Sequence, residues 1–290
     1  MSASQGGALQ GKVAVVTGAS RGIGEAIARR FAAEGAVVAV SARTADESGK
    51  HLPGSVKETV AMIEAAGGKA AGFVCDVADP AQRRQLAQDV LDRFGRVDIL
   101  VNNAAGATYG RLYDRLTQEK LAWLFQLNLF GPLEFLQLFG PGMKERRQGW
   151  VLNLSSRTAE LPAGPPFPPF DITSGSLMYG TSKAALNRMT AGLAAEFQGT
   201  GVAINALAPD SVVWTPGTAA SGTEKWRSSP GWREEPVEAM AEAALALCTV
   251  DPARYSGHCV YSVPFLQEIG RPIRTLDGKA ELKDWKPAID

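Results

Sequence analysis

Lys12-Val-Ala-Val-Val-Thr17-Gly18-Ala-Ser-Arg21-Gly22-Ile23-Gly24 decides how this chain folds. Its apolar half reads as a short buried strand that runs straight into a glycine turn. A helix follows at once, because Ile23, Ile27 and Phe31 recur at steps of four and line one apolar stripe. Backbone without Cβ can come close to a pyrophosphate, and the free N–H groups and positive end of a helix favour the anion. The spacing is Gly-x-x-x-Gly-x-Gly rather than the commoner dinucleotide fingerprint, so the strand-to-helix setting carries the reading more than the pattern does.

Further strand-like runs fall at residues 37–41, 71–75, 99–102, 151–155, 202–208 and 259–262. They alternate with helical patterns near 56–66, 80–94, 118–138, 178–198 and 236–248. That alternation predicts an α/β fold: one Rossmann-type domain over 1–290, its doubly wound parallel sheet flanked by helices and its core at about 11–262. Ligands in such sheets sit beyond the carboxyl ends of the strands. Composition shifts in the polar segment 44–55, in 157–178 with five prolines between Pro162 and Pro169, and in the tail 264–290. All three read as additions to one domain, the proline segment as a loop beside the site.

Thirty basic and thirty acidic residues cancel, and no dense basic block occurs, so nucleic-acid binding lacks its electrostatic footprint. Cys75, Cys248 and Cys259 make no close metal-type pair and His51 and His258 are far apart, so no metal site or disulfide is expected. The opening Met1-Ser-Ala-Ser-Gln-Gly-Gly lacks a basic and then apolar signal, which predicts a cytoplasmic enzyme. The most apolar stretch, 121–139, contains Gln126, Asn128, Pro132 and Glu134; it reads as a buried helix and not as a membrane span.

Tyr179-Gly-Thr-Ser-Lys183 places a phenol and an ammonium four residues apart on one helix face. A free phenol titrates near pKa ~10, and a neighbouring cation draws it toward neutrality, which suits acid–base chemistry at a carbonyl or alcohol oxygen. With the glycine turn, this pair makes the chain resemble the short-chain dehydrogenase/reductase family in its common branch, from Gly11 to about Ser262. The resemblance extends to Cys75-Asp76-Val77, Val101-Asn102-Asn103-Ala104, Gln126-Leu-Asn128, Leu152-Asn-Leu-Ser155-Ser156 and Asn205-Ala-Leu-Ala-Pro209. It implies a catalytic set of Asn128, Ser156, Tyr179 and Lys183. Tyr179 would pass the proton, Ser156 would orient the reacting oxygen, Lys183 would hold the nicotinamide ribose, and Asn128 would anchor a water leading to solvent. It also implies cofactor contacts from Gly18, Ser20, Arg21, Ile23, Gly24, Asp76, Val77, Asn102 and Ala104, with Tyr179 and Lys183. A homo-oligomer, dimer or tetramer, is implied through the 121–139 helix.

Some features depart from the family pattern. The stretch from Ser156 to Tyr179 is longer than usual, and Asp210 stands where glycine is usual, leaving Val212 and Thr215 as candidates for the carboxamide contact. The insert around His51-Leu-Pro-Gly54 and the ending Phe265–Gly270 are similar to the hydroxysteroid dehydrogenase-like branch. The second strand ends in Ala42-Arg43 instead of the acidic residue that binds a ribose 2′-hydroxyl. Two guanidiniums, Arg21 and Arg43, suit a 2′-phosphate, so NADP(H) is the expected cofactor, with NAD(H) possible. Leu161, Phe167 and Phe170 in the insert, with Trp214, Trp226 and Trp232 beyond, predict an apolar alcohol or carbonyl substrate if they converge over Tyr179. The alternatives are a non-catalytic nicotinamide-nucleotide-binding sensor or scaffold, and an epimerase or dehydratase that reuses the Tyr–Lys pair.

Overall fold

The structure, a computed structural model, describes residues 7–46, 52–228, 232–283 and 285. Residues 1–6, His51 and the last residues of the tail, together with the side chain of Trp226, lie outside the described residues.

Strand β1 (Val13–Thr17) is wholly buried because both of its faces are covered. Ala14 and Val16 pack on one side of the sheet and Val15 on the other. Then follow α1 (Gly22–Ala33), β2 (Val37–Ala42), α2 (Val56–Ala65), β3 (Lys69–Val74), α3 (Pro80–Phe94), β4 (Ile99–Asn102), α4 (Gln118–Phe125) and α5 (Gly131–Glu145). The chain continues through β5 (Gly149–Leu154), α6 (Pro169–Thr173), α7 (Leu177–Glu196), β6 (Val202–Ala208), β7 (Val212–Val213) and α8 (Pro216–Ala220). It closes with β8 (Glu234–Glu235), α9 (Val237–Leu247), β9 (Cys259–Tyr261) and α10 (Ser262–Glu268). Seven strands form one parallel sheet in the order β3-β2-β1-β4-β5-β6-β9, and β7 pairs with β8 apart from it. This is the doubly wound sheet that the alternation predicts.

Local chemistry sets the helix bounds. The Ser55 hydroxyl caps α2 by accepting from the Glu58 N–H. Asp79 caps α3, Pro80 opens it, and Gly95 ends it in the left-handed region at φ 72°. Between α4 and α5 a π-helical turn, Gln126–Phe130, interrupts the helix read over 118–138. Its cause is in the sequence: Pro132 has no N–H for the Asn128 carbonyl four residues earlier, and the Gly131 N–H goes to Gln126, five residues back.

The tail folds back on the domain. Arg271 donates to one Glu242 oxygen at 2.7 Å and Arg30 to the other at 2.9 Å, joining the tail to α9 and α1. Both Arg30 and Glu242 are buried, and each has a second partner, Glu34 for Arg30 at 2.6 Å and Arg271 for Glu242, so the four charges hold one another as a network. No helix among the described residues is long and apolar enough to cross a membrane. No group of three or more His, Cys, Asp or Glu among them is placed to hold a metal.

Candidate active site

The strand order reverses between β1 and β4, and a crevice must open beyond their carboxyl ends. A cleft of about 360 Å³ lies there. The glycine turn lines it with Gly18, Ser20, Arg21, Ile23 and Gly24; the ends of β2 and β3 add Arg43, Asp76 and Val77; Ala104 follows β4 and Thr215 precedes α8. Asn102, Val212, Tyr179 and Lys183 are not among the lining residues. Asn102 turns into the sheet, where its amide donates to Asn153 Oδ1 at 2.8 Å, and Val212 pairs with Glu234. The next residue, Asn103, does line the cleft, because successive strand residues face opposite ways.

Asn103 explains why the turn needs its glycines. Its Nδ2 donates to the carbonyls of Thr17 at 2.9 Å and Gly18 at 3.1 Å, and its backbone N–H donates to Thr17 Oγ1 at 3.1 Å. A Cβ on Gly24 would fall 2.4 Å from that Nδ2, and one on Gly18 2.9 Å from it. Gly18 and Gly22 also sit at φ 64° and 61°, where side chains are strained. The amide therefore clamps β1 to β4 through a space only glycine leaves open, and the same bareness fits the cleft to a dinucleotide's pyrophosphate.

The two arginines differ. Arg21 is held by the 44–55 insert: its guanidinium donates to the carbonyls of Pro53 at 2.7 Å, Gly54 at 2.7 Å and Leu52 at 3.4 Å. Arg43 is 64% exposed at the cleft rim, 4.0 Å from Asp76. Burial, and then the nearby Arg43 charge, lower the Arg21 pKa against the pull of Glu58. Two guanidiniums close enough to repel one another form a focus for an anion.

At the carboxyl end of β5, the Ser156 hydroxyl accepts from the Thr158 N–H at 3.2 Å and the Thr158 hydroxyl at 2.9 Å. Gly180 lets α7 close on this turn, since a Cβ there would lie 2.4 Å from the Thr158 carbonyl oxygen. That approach brings the Tyr179 phenol near enough to Ser156 for the serine hydroxyl to favour its ionised form. Burial pushes the Tyr179 phenol above its ordinary pKa, and Ser156 only partly offsets this. The sequence leads one to expect Lys183 to draw it down. Instead the Lys183 ammonium is buried, lies 5.9 Å from the Tyr179 ring centroid and donates to the Leu154 carbonyl at 2.6 Å. Its own pKa falls to about 8 through desolvation. Asn128 sits in the π turn, and its side chain pairs with both the N–H and the C=O of Gly106 at 2.9 Å and donates to Ser182 at 2.9 Å.

The sequence did not mark Tyr109, whose ring packs 5.5 Å from Tyr179 and 6.3 Å from Phe170. Its loop is fastened by Asn128 through Gly106 and by the Gly110 N–H donating to the Ser174 carbonyl at 2.8 Å. Of the aromatic and apolar side chains expected at the mouth, Phe170 alone among the described ones reaches this cluster, and the Trp226 side chain lies outside them. Leu161 is 92% exposed and Phe167 is exposed. Trp214 lies under the Arg227 guanidinium, and the Trp232 indole donates to Glu234 at 3.0 Å. Beyond Pro209, the Asp210 and Ser211 N–H groups both donate to the buried Glu235 carboxylate at 3.1 Å, and Arg157 donates to Asp210 Oδ1 at 2.8 Å.

The sequence profile of the short chain dehydrogenases matches residues 12–226. The chain belongs to the short-chain dehydrogenase family, whose members are NAD(P)-dependent oxidoreductases acting on the CH–OH/C=O pair. It is 34% identical over 269 residues to hydroxysteroid dehydrogenase-like protein 2 of Danio rerio, covering 91% of this chain and 60% of that protein. The match thus spans well under two thirds of that relative's length. Among solved structures, a metagenomic short-chain oxidoreductase in complex with NADP superposes with a TM-score of 0.69 at 28% identity, covering 88% of this chain and 97% of its own. A 3-oxoacyl (acyl-carrier-protein) reductase from Agrobacterium tumefaciens C58 with NADP bound gives 0.73 at 30% identity, covering 87% and 93%.

Proposed function

We propose that this chain is an NADP(H)-preferring oxidoreductase that interconverts an apolar ketone or aldehyde and its alcohol, with Tyr179 as general acid and base. The observation that carries the reading is the Tyr179 phenol near the Ser156 hydroxyl, one helical turn from Lys183, at the carboxyl end of the same sheet whose β1 and β4 open the glycine-walled cleft. Bound NADPH supplies a hydride. The chain's own residues must then meet the negative charge that grows on the substrate oxygen. Burial keeps Tyr179 protonated at neutral pH, as the donor in reduction has to be. Ser156 shares the oxygen by hydrogen bonding, and Lys183, near pKa 8, stays largely cationic beside the phenol as it loses its proton. With the Asn128 side chain spoken for, its carbonyl, left without an N–H from Pro132, is the group to hold a water on the path to solvent.

The cofactor preference is supported by Arg43 at the open rim with Arg21 behind it, and by the NADP found in the two structural relatives. An apolar substrate is supported by the Tyr109 and Phe170 rings beside Tyr179, since buried apolar area contributes roughly 25 cal/mol per Å². The test is loss of NADPH absorbance during incubation with a panel of apolar ketones and aldehydes. Turnover, faster with NADPH than with NADH, is expected. Thermal stabilisation by NADPH with no turnover across the panel would instead make the protein a nucleotide-binding sensor.

A further inference from the structure

Tyr109 and Phe170 border a second, smaller cavity of about 130 Å³. Its other walls come from Gly110, from Ser174 at the end of α6, and from Ser221, Gly222, Thr223 and Lys225 beyond α8, where Lys225 already has an interaction of its own. The 157–178 insert and the segment after α8 thus meet over a space that shares Tyr109 with the Tyr179 site. The hydroxyls around it are of two kinds. Those of Ser221 and Thr223 give their protons to the Thr218 carbonyl at 2.6 and 3.0 Å, Ser221 also reaches Thr223 Oγ1 at 3.2 Å, and each oxygen keeps a lone pair to offer. The Ser174 hydroxyl, on a residue 4% exposed, accepts from the Ser176 N–H at 3.2 Å, and its proton meets no acceptor among the described residues. The Tyr109 phenol likewise bonds to no described residue, and burial holds it protonated by raising its pKa far above the ordinary value.

Two uncommitted donors, and two hydroxyl oxygens that keep lone pairs, match a hydroxyl, which gives one hydrogen bond and takes others. A methyl group would fill the volume and leave the donors unpaired. Sites built to hydrogen-bond a substrate hydroxyl reject such an isostere strongly. We infer that this cavity is a second substrate subsite that takes a hydroxyl group carried by the apolar substrate, with Tyr109 and Ser174 setting that specificity. The inference rests on the carbonyl–alcohol reading above and narrows it: the substrate is a keto-alcohol, or the diol it yields on reduction.

Ketones that differ only at the far end test this. The probes are 3- and 4-(hydroxymethyl)acetophenone and the matching 3- and 4-ethylacetophenones, which exchange an oxygen for a methyl without conjugation to the reacting carbonyl. Values of kcat/KM with NADPH are compared for the full chain, Ser174→Ala, Tyr109→Phe and the double variant, each shown to bind NADPH. The unaltered chain should favour the hydroxymethyl member of at least one pair by about tenfold, each single substitution should reduce that ratio to about threefold, and the double substitution should bring it to about one. Equal rates within both pairs for the unaltered chain, or a preference that survives in the double variant, would overturn the subsite and leave carbonyl reduction standing. NADPH bound but never oxidised with any of the four probes would overturn the subsite and the carbonyl-reducing reading together.

Discussion

The two halves of the site are built from different material. The nucleotide side is backbone: a glycine turn, the ends of parallel strands and one amide that threads between them. The substrate side is side chain: three aromatic rings, a handful of hydroxyls and two segments outside the main sheet, of which the insert leaves Leu161 and Phe167 on the surface. Backbone placed by a sheet has little freedom, and what it binds is fixed by spacing. Side chains on added loops can be exchanged without disturbing the sheet, so the substrate half is the half open to change.

Replacing the proposed proton donor should have the largest effect. Tyr179→Phe should lower kcat on a confirmed substrate by ~10²–10⁴-fold, while NADPH affinity, measured by fluorescence titration, stays within a few-fold. A variant that kept most of its turnover would reduce Tyr179 to a wall. Next, Gly24→Ala drives a methyl into Asn103 Nδ2 and should destabilise the fold by about 3 kcal/mol in urea titration, with NADPH binding weakened at least tenfold. Normal affinity in that variant would mean that the amide clamp does not shape the nucleotide side.

A pH series probes the substrate side. Burial pushes the Glu235 carboxyl up to about 7 from 4.5, against the opposing bonds from Ser262, Ser211 and Asp210. The folded chain therefore holds this proton longer than the unfolded chain does. The resulting stability is fully present below about pH 4.5 and is lost as pH rises through 7, on the order of 2–3 kcal/mol in all. Calorimetry from pH 4.5 to 8 should show that slope, and Glu235→Gln should flatten it; an unchanged slope would clear Glu235 of the effect. The smallest change is expected for Arg43→Ala, which should raise the Michaelis constant for NADPH about tenfold and that for NADH less than twofold. Equal effects on both cofactors would remove the 2′-phosphate assignment.

The same contrast governs what the sequence disclosed. The strand Val202–Ala208 and the helix Pro80–Phe94 were legible to the residue, because buried parallel strands are unbroken apolar runs and caps such as Asp79-Pro80 and Gly95 announce helix ends. The π turn was signalled by Pro132, four residues after Asn128, yet the helical period runs through it and hides it. Asn102 and Asn103 are the same residue type side by side. Only the face on which the strand ends separates the one bonded to Asn153 from the one lining the cleft. Arg21 reaching the carbonyls of 52–54, and Tyr109 meeting Tyr179 across seventy positions of sequence, depend on how loops return to the sheet. No period or spacing encodes that.

Because Asn103 fastens the glycine turn to the end of β4 within the chain itself, the nucleotide meets a finished mould at its pyrophosphate end. Ordering entropy there is lost on folding and not on binding. The adenosine end is different: Arg21 is already occupied by the insert, so a 2′-phosphate held there as proposed would have to compete with three carbonyl oxygens for the same guanidinium. Capture should then be quick at the rigid end, and residence time should be decided by how readily the insert gives way. Amide hydrogen exchange would separate the two ends, changing little at Gly18–Gly24 when NADPH is added and markedly at residues 52–54.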